Sequence, residues 1–129
     1  MTEPRRLSPV YILSIHADQI QSHGGSVGIR DRGLLLSALE RPRNRFQYEP
    51  DVDLADLAAA YAFGISSNHP FVDGNKRVAF LAMYLVLGLN GFRIDAAEED
   101  VVAHILALAS GQLAESALAD WIRDHMTPR

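Results

Sequence analysis

The side chains best suited to chemistry lie within nine consecutive positions, 69–77, which read HPFVDGNKR. His69 can accept a proton near neutral pH, and Asp73 offers a hard oxygen ligand of the kind that Mg²⁺ prefers. Gly74 permits a tight turn, and the apolar run 78–87 predicts a buried helix directly after these residues. The run therefore predicts polar chemistry at the N-terminus of a buried helix.

The start of this helix could bind an anion. The first backbone amides of a helix have no partner within it, and the positive end of the helix dipole lies at the same place. Lys76 and Arg77 add two cations there, which a bound anion would explain. The pattern favours phosphate transfer from a nucleotide, with His69 as general base and Asp73 as Mg²⁺ ligand.

Each of these residues also has an ordinary interpretation. A histidine before proline is commonly a loop residue, Asp-Gly is commonly a turn, and adjacent cations are commonly solvated. Neither the P-loop pattern nor the eukaryotic-type kinase signature occurs in the sequence. His69 and Asp73 could instead begin a metal site, although Pro70 and Gly74 oppose a continuous helix there. The spacing alone leaves a nucleotide site and an ordinary loop open.

Composition limits the class of protein. The chain has 129 residues, 48% hydrophobic and 22% charged, which predicts one globular domain over residues 1–129. It has no cysteine, no apolar segment in its first residues and no apolar run longer than about ten, so we expect a cytoplasmic protein without a membrane span. A net charge of −4 argues against non-specific duplex-DNA binding. Residues 1–45 nevertheless carry seven arginines against four acidic residues, either as a solvated surface or as a docking face for an acidic partner.

Helical signals occur along nearly the whole chain and predict an all-α fold, with about six helices around a central buried helix. Ser8-Pro9 begins the first helix and Asp31 caps a short second one, which Pro42 should end. Asp53 caps the third. The fourth, from about Asn75, is apolar on nearly every face and is the predicted central helix.

The last third of the chain predicts two further helices. One opens with the acids 98–100, which suit a helix N-terminus, and closes at Gly111. The other carries Leu118, Trp121 and Ile122. Only 92–94 indicates a short extended piece.

The run 69–77 resembles the signature of Fic-domain proteins. Lys76, where most Fic enzymes have a second glycine, is similar to the death-on-curing (Doc) branch of that family. Segments 24–31, 36–42 and 95–121 also resemble Doc-type proteins, so the resemblance covers nearly the whole chain. It implies an all-α Fic fold and the toxin of a type II toxin–antitoxin system.

Fic enzymes mostly transfer AMP from ATP to a protein hydroxyl, whereas Doc-type toxins transfer the terminal phosphate to a threonine of elongation factor Tu and inhibit translation. The resemblance implies ATP and Mg²⁺ as cofactors, His69 and Lys76 as catalytic residues, and Asp73 as the metal ligand. It implies Phe71 as a buried anchor of the loop. The phosphate-binding residues that it implies are Gly74, Asn75, Lys76 and Arg77.

We expect Lys76 to favour phosphate over AMP transfer. Its side chain fills space that a glycine would leave for close approach of a phosphate. The nucleotide would then sit differently and present another phosphorus to the attacking hydroxyl. An AMP transferase of the same fold stays open, as do an antitoxin-dependent corepressor module and an inactive Fic fold. Four residues could line a target-binding flap or could equally be ordinary surface residues: Arg30, Asp31, Arg43 and Tyr48.

The partners follow from the same resemblance. Many Fic enzymes restrain themselves with the motif [ST]-x-x-x-E-[GN], but no Ser or Thr of this sequence is followed four residues later by Glu. We therefore expect a separate, Phd-like antitoxin that folds as it docks. DNA would be contacted only indirectly, through the antitoxin complex, and no membrane is involved.

Overall fold

A computed structural model describes residues 2–129 of the protein and consists almost entirely of helices. The elements in chain order are α1 (Pro9–His23), α2 (Arg32–Tyr48), α3 (Leu54–Asn68), α4 (Asn75–Leu89), β1 (Phe92–Ile94), α5 (Glu98–Ala109), α6 (Glu115–His125) and β2 (Met126–Pro128). The two short strands pair antiparallel, with Phe92 opposite Pro128. The predictions of an all-α chain with six helices and of an extended piece at 92–94 are confirmed. No helix in the described part of the chain has the length and apolar character needed to cross a bilayer.

The helices begin where the capping residues predict. Ser8 Oγ accepts a hydrogen bond from the N–H of Tyr11 at 3.1 Å, with proline as the first residue of α1. Asp31 caps α2 in the same manner. At α3, Asp53 and Asp56 each accept from the other's backbone N–H, a reciprocal capping box. These local hydrogen bonds satisfy amides that would otherwise lack partners, so each helix start is set by its own sequence.

Pro42 does not end α2, contrary to the prediction from the sequence. The helix continues to Tyr48 with the proline buried inside it. A proline has no N–H to donate to the carbonyl four residues earlier, here that of Ala38. Gly64 of α3 lies against this carbonyl, since a Cβ added to Gly64 would stand 3.0 Å from the oxygen. Close packing against α3 therefore accompanies the continuation of α2. This contact joins two separate helices, so the local sequence around Pro42 does not reveal it.

The most enclosed helix is α3 rather than α4, which corrects the predicted central helix. Ten of the fifteen residues of α3 are buried, against seven of fifteen in α4. α3 packs against α2, α4, α5 and α6, and its many alanines allow their close approach. Several large apolar residues of α4 stay only half-buried, among them Phe80 and Leu81. The apolar surface of α4 thus exceeds what its neighbours cover.

The arginines of the first third are largely paired within the chain. Arg41 and Arg45 both form ion pairs with Glu115 of α6, and Arg45 also pairs with Glu49 at 2.8 Å. The hydrogen bond from Arg45 lowers the pKa of Glu49. Two others pair with an acidic residue three positions away, Arg6 and Arg43. Because most of this positive charge is compensated, the structure favours a solvated surface over a docking face for an acidic partner.

Candidate active site

The residues selected from the sequence lie between two packed helices. His69 is the residue after α3, and α4 begins at Asn75, as predicted. Residues 70–74, called the motif loop from here on, connect the two helices. Phe71 in this loop is fully buried, in agreement with its expected role as an anchor. Since α3 and α4 pack against each other along their lengths, the loop is fixed at both ends.

His69 adopts an uncommon backbone conformation. Its φ of 48° and ψ of 56° are left-handed, and among residues 2–129 it is the one non-glycine residue with positive φ. This conformation costs a non-glycine residue about 1–2 kcal/mol, and such residues collect at functional sites. Arg30 stabilises the turn, because its guanidinium donates to the carbonyl oxygens of His69 at 2.6 Å and Asn68 at 2.7 Å. The exposed imidazole faces the cleft described below.

Residues 24–31, called the flap from here on, hold the other side of the motif loop. The N–H of Val72 donates to the carbonyl of Gly28 at 3.1 Å. The N–H of Arg30 donates to the carbonyl of Pro70 at 2.7 Å. The flap therefore pairs with the loop as a short antiparallel bridge and restricts its backbone.

Asn75 was predicted to hold a phosphate, but its side chain serves the motif loop. Its Oδ1 accepts from the N–H of Phe71 at 3.0 Å, and its Nδ2 donates to the carbonyl of Phe71 at 2.9 Å. The residue is buried, so neither end of the amide is free for a ligand. Only its backbone N–H, at the first position of α4, is left for an anion.

Asp73 presents an exposed carboxylate whose orientation is fixed. Its Oδ2 accepts from the N–H of Ser26 at 3.2 Å, and its Oδ1 accepts from the N–H of Gly74 at 3.1 Å. Gly25 permits this approach, because a Cβ there would stand 2.9 Å from Oδ2. In the described part of the chain no group of three or more His, Asp or Glu side chains could hold a metal. The carboxylate fits a cation shared with a bound phosphate.

Lys76 and Arg77 are exposed on the first turn of α4, and no carboxylate within residues 2–129 pairs with either. Gly74 precedes the helix with a φ of 80°, and no side chain caps the helix start. An open cleft of roughly 330 Å³ lies here. Its lining residues are His69, Val72, Asp73, Gly74, Asn75, Lys76 and Arg77. The structure thus brings together the predicted catalytic, metal-binding and phosphate-binding residues, while their chemical roles stay predictions.

A second concavity, called the apolar groove from here on, shares Lys76 and Arg77 with the cleft. It has a volume of about 470 Å³ and lies between α1, α4 and α5. Its apolar lining residues are Phe80, Leu81, Val102, Ile105 and Leu106. Near it, burial and then the charge of Glu98 raise the pKa of Tyr84. Part of the uncovered apolar surface of α4, at Phe80 and Leu81, lies in this groove.

Several residues that shape the site carried no clear signal in the sequence. The sequence suggests Arg30 and Asp31 as residues that contact a target protein, but Arg30 secures the turn at His69 and Asp31 caps α2. Ser26 orients Asp73 through its backbone, which no side-chain pattern could reveal. His16 of α1 contacts the motif loop, and its only signal was a polar residue on the buried face of a helix.

Comparison with known proteins gives a consistent assignment. The sequence model of the Fic/DOC family matches residues 6–87. The chain is 30% identical over 119 residues to "Protein kinase doc" of Escherichia phage P1, covering 92% of this chain and 94% of that protein. It is 40% identical over 79 residues to "Toxin Doc" of Mycolicibacterium smegmatis, covering 60% of each. With the all-α fold and the cleft at the start of α4, these matches show that the chain belongs to the Fic/DOC family.

Proposed function

We propose that this protein is the toxin of a cytoplasmic toxin–antitoxin pair. It transfers the terminal phosphate of ATP to a threonine or serine hydroxyl of another protein, and the target is elongation factor Tu. The observation that carries this proposal is the convergence of an exposed histidine, a fixed carboxylate and two unpaired cations in one cleft at a helix start. The names of the relatives support the proposal: "Protein kinase doc" supports phosphate transfer to a protein, and "Toxin Doc" supports the role as a toxin.

The start of α4 supplies the anion site. The backbone N–H groups of its first turn have no partner within the helix, and no side chain caps them. Lys76 and Arg77 add full charges that are not neutralised by carboxylates of the described chain. Phosphoryl transfer depends mainly on placing the phosphate and on stabilising its charge, and this helix start offers both.

His69 is the proposed general base. It accepts the proton of the target hydroxyl as that oxygen forms a bond to the terminal phosphorus and the bond from phosphorus to ADP breaks. The left-handed turn at His69 and the two hydrogen bonds from Arg30 fix the backbone that carries the imidazole. Lys76 and Arg77 stabilise the negative charge that develops on the leaving ADP.

Asp73 is the proposed ligand of Mg²⁺. Both carboxylate oxygens accept one backbone hydrogen bond each, and each retains a further lone pair for a cation. Mg²⁺ is commonly held by one or two carboxylates together with nucleotide phosphates and water, which matches the single carboxylate in this cleft. When bound, the ion would neutralise phosphate charge and orient the phosphates.

Mass spectrometry of the target tests the reaction. We would incubate elongation factor Tu with the protein, ATP and Mg²⁺, and identify both the added group and the modified residue. His69→Ala should lower the rate by about 10²–10⁴, the range for loss of a general base. His104→Ala, at a histidine outside the cleft, should leave the rate unchanged. Addition of AMP, or full activity of His69→Ala, would contradict the proposal.

The choice between phosphate and AMP depends on Lys76. Its side chain occupies the position at which a glycine would admit a phosphate close to the backbone. With Lys76→Gly we expect slower phosphate transfer and some AMP transfer, measured with ATP labelled at the α or the γ phosphorus. If both proteins transfer only AMP, the phosphotransferase assignment is wrong and the AMP-transferase alternative holds.

A Phd-like antitoxin restrains the enzyme by docking an amphipathic helix in the apolar groove. The groove offers Val102 and Leu106 at 39% and 49% exposure, and its far side carries the unpaired cations Lys76 and Arg77. A helix with one apolar face and an acidic residue near its end would complement both features. Because Lys76 and Arg77 also line the cleft, an antitoxin helix in the groove would compete with the phosphates of ATP for these two cations.

Two substitutions on exposed leucines test this docking site. Leu106→Asp places a charge in the groove and should weaken antitoxin binding at least about tenfold by calorimetry, because a desolvated charge is costly. Leu89→Asp serves as control, since Leu89 is 39% exposed and lies outside the groove. Equal affinities of the two variants would place the antitoxin elsewhere.

A further inference from the structure

His16 is a buried imidazole on α1 that has no part in the mechanism above. It is 5% exposed and contacts the motif loop. Its Nε2 lies 2.9 Å from the carbonyl oxygen of Asp73. Its ring is stacked on that of Phe71, with 3.9 Å between centroids and 7° between planes. Two separate contacts therefore connect α1 to the loop.

The hydrogen bond determines which nitrogen of His16 carries a proton. A carbonyl oxygen can only accept, so Nε2 must be the donor. The contact fixes the peptide between Asp73 and Gly74, whose carbonyl points toward His16. Because a trans peptide is planar, its N–H points the opposite way, and there the N–H of Gly74 donates to Asp73 Oδ1 at 3.1 Å. The orientation of this peptide thus sets the orientation of the carboxylate.

Packing alone does not explain a histidine at this position. A phenylalanine has nearly the same planar shape and would stack on Phe71 without bringing a polar group into a buried site. The atoms of His16 nearest to Gly74 are Cδ2 and Nε2, at 3.7 and 3.9 Å from a Cβ built there, so the polar edge of the ring faces the loop. Compared with phenylalanine, histidine adds an N–H group that reaches the carbonyl oxygen of Asp73.

We propose that His16 is a positioning residue for the active site: through the Asp73 carbonyl it sets the direction of the Asp73 carboxylate and of the first amides of α4. As a refinement of the transfer reaction, this inference rests on the proposed function. The contact itself is a property of the folded protein and can be measured without any reaction.

Three substitutions separate the hydrogen bond from the packing. His16→Gln carries an N–H at a reach close to that of Nε2, whereas His16→Asn has the same chemical group one carbon shorter. His16→Phe keeps the stack and removes the donor. We expect kcat to fall roughly 10–100-fold in the Asn and Phe variants, since small misplacements of reacting groups cost up to about 10²-fold. Gln should restore kcat to within about threefold of the wild type, and KM for ATP should change less than kcat in every variant.

Equal kcat for the Gln and Asn variants, or wild-type kcat in the Phe variant, would overturn the inference. Hydrogen exchange supplies a readout that needs no target. The amides of residues 74–77 should exchange faster in the Asn and Phe variants than in the wild type and the Gln variant. Unchanged exchange in the Phe variant would also overturn it.

The wild-type protein gives a test that does not depend on the folding of any variant. Long-range ¹H–¹⁵N NMR spectra report which ring nitrogen of His16 is protonated, and we expect Nε2–H protected from exchange. A neutral ring protonated only at Nδ1 would refute the positioning role. If the wild type transfers neither phosphate nor AMP, the proposed function fails, while the exchange and NMR data still decide the role of His16.

Discussion

Replacing Asn75 with alanine distinguishes a residue that holds the motif loop from one that holds a phosphate. The sequence predicted a phosphate contact, whereas the structure gives both ends of the side-chain amide to the backbone of Phe71, at 3.0 and 2.9 Å. Asn75→Ala should therefore destabilise the fold itself. Loss of a phosphate ligand on the surface would leave the stability of the free protein nearly unchanged.

The size of the effect follows from the burial of the two groups left behind. Phe71 is fully buried, so its N–H and carbonyl would lose their partners in a site with little access to water. An unsatisfied buried group costs about 1–3 kcal/mol. Allowing for partial relaxation, we expect a loss of about 2–4 kcal/mol, or roughly 7–14 °C in Tm for a chain of 129 residues.

Urea denaturation followed by circular dichroism measures this loss in the absence of nucleotide. Asn44→Ala is the matched control, because Asn44 is an exposed asparagine of α2, and its change should stay within about 0.5 kcal/mol. The reasoning is refuted if Asn75→Ala is as stable as the control but binds ATP more weakly. That outcome would restore the phosphate-binding role predicted from the sequence.

Two further predictions concern stability away from the cleft. Gly64→Ala should lower the free energy of unfolding, measured by urea denaturation, by about 1–3 kcal/mol, because its Cβ would stand 3.0 Å from the carbonyl oxygen of Ala38. Gly88→Ala is the control: its Cβ would meet only the flexible end of the Arg129 side chain, so it should be neutral or stabilising. Hydrogen bonds from Arg123 lower the pKa of Asp53 to about 2, below its unfolded value, so their contribution is present above about pH 4 and is lost as the pH falls toward 2. Because the side chains of Asp53 and Arg123 are both partly exposed, this contribution should be only about 0.5–1 kcal/mol. Asp53→Asn should remove that part of the pH dependence of stability. It should not unfold the protein, because asparagine can also cap α3.

Much of the fold could be predicted because its signals are local. A capping side chain reaches an amide only three residues away, so Ser8, Asp31 and Asp53 each define a helix start without help from the rest of the chain. The site was predictable for the same reason, since most residues of the run 69–77 line one cleft. Their types and order also carried the resemblance to the family that the comparisons then confirmed.

What the sequence did not reveal depends on contacts between distant segments. The continuation of α2 past Pro42 accompanies packing against Gly64, and the burial of α3 depends on α2, α4, α5 and α6. The ion pairs of Arg41 and Arg45 with Glu115 of α6 compensate part of the charge of the apparent docking face. No local pattern encodes such contacts, because each requires two segments to be brought together.

The same division holds inside the site. The sequence by itself determined which side chains are present, that a glycine turn leads into a helix, and that two cations stand at that helix start. Only the tertiary structure decided how these atoms are used. It assigned the side chain of Asn75 to the loop and placed His16 against Asp73, a residue 57 positions away. Residue type sets which hydrogen bonds a side chain can form, but the packing of α1 and the flap on the motif loop selects the ones that form.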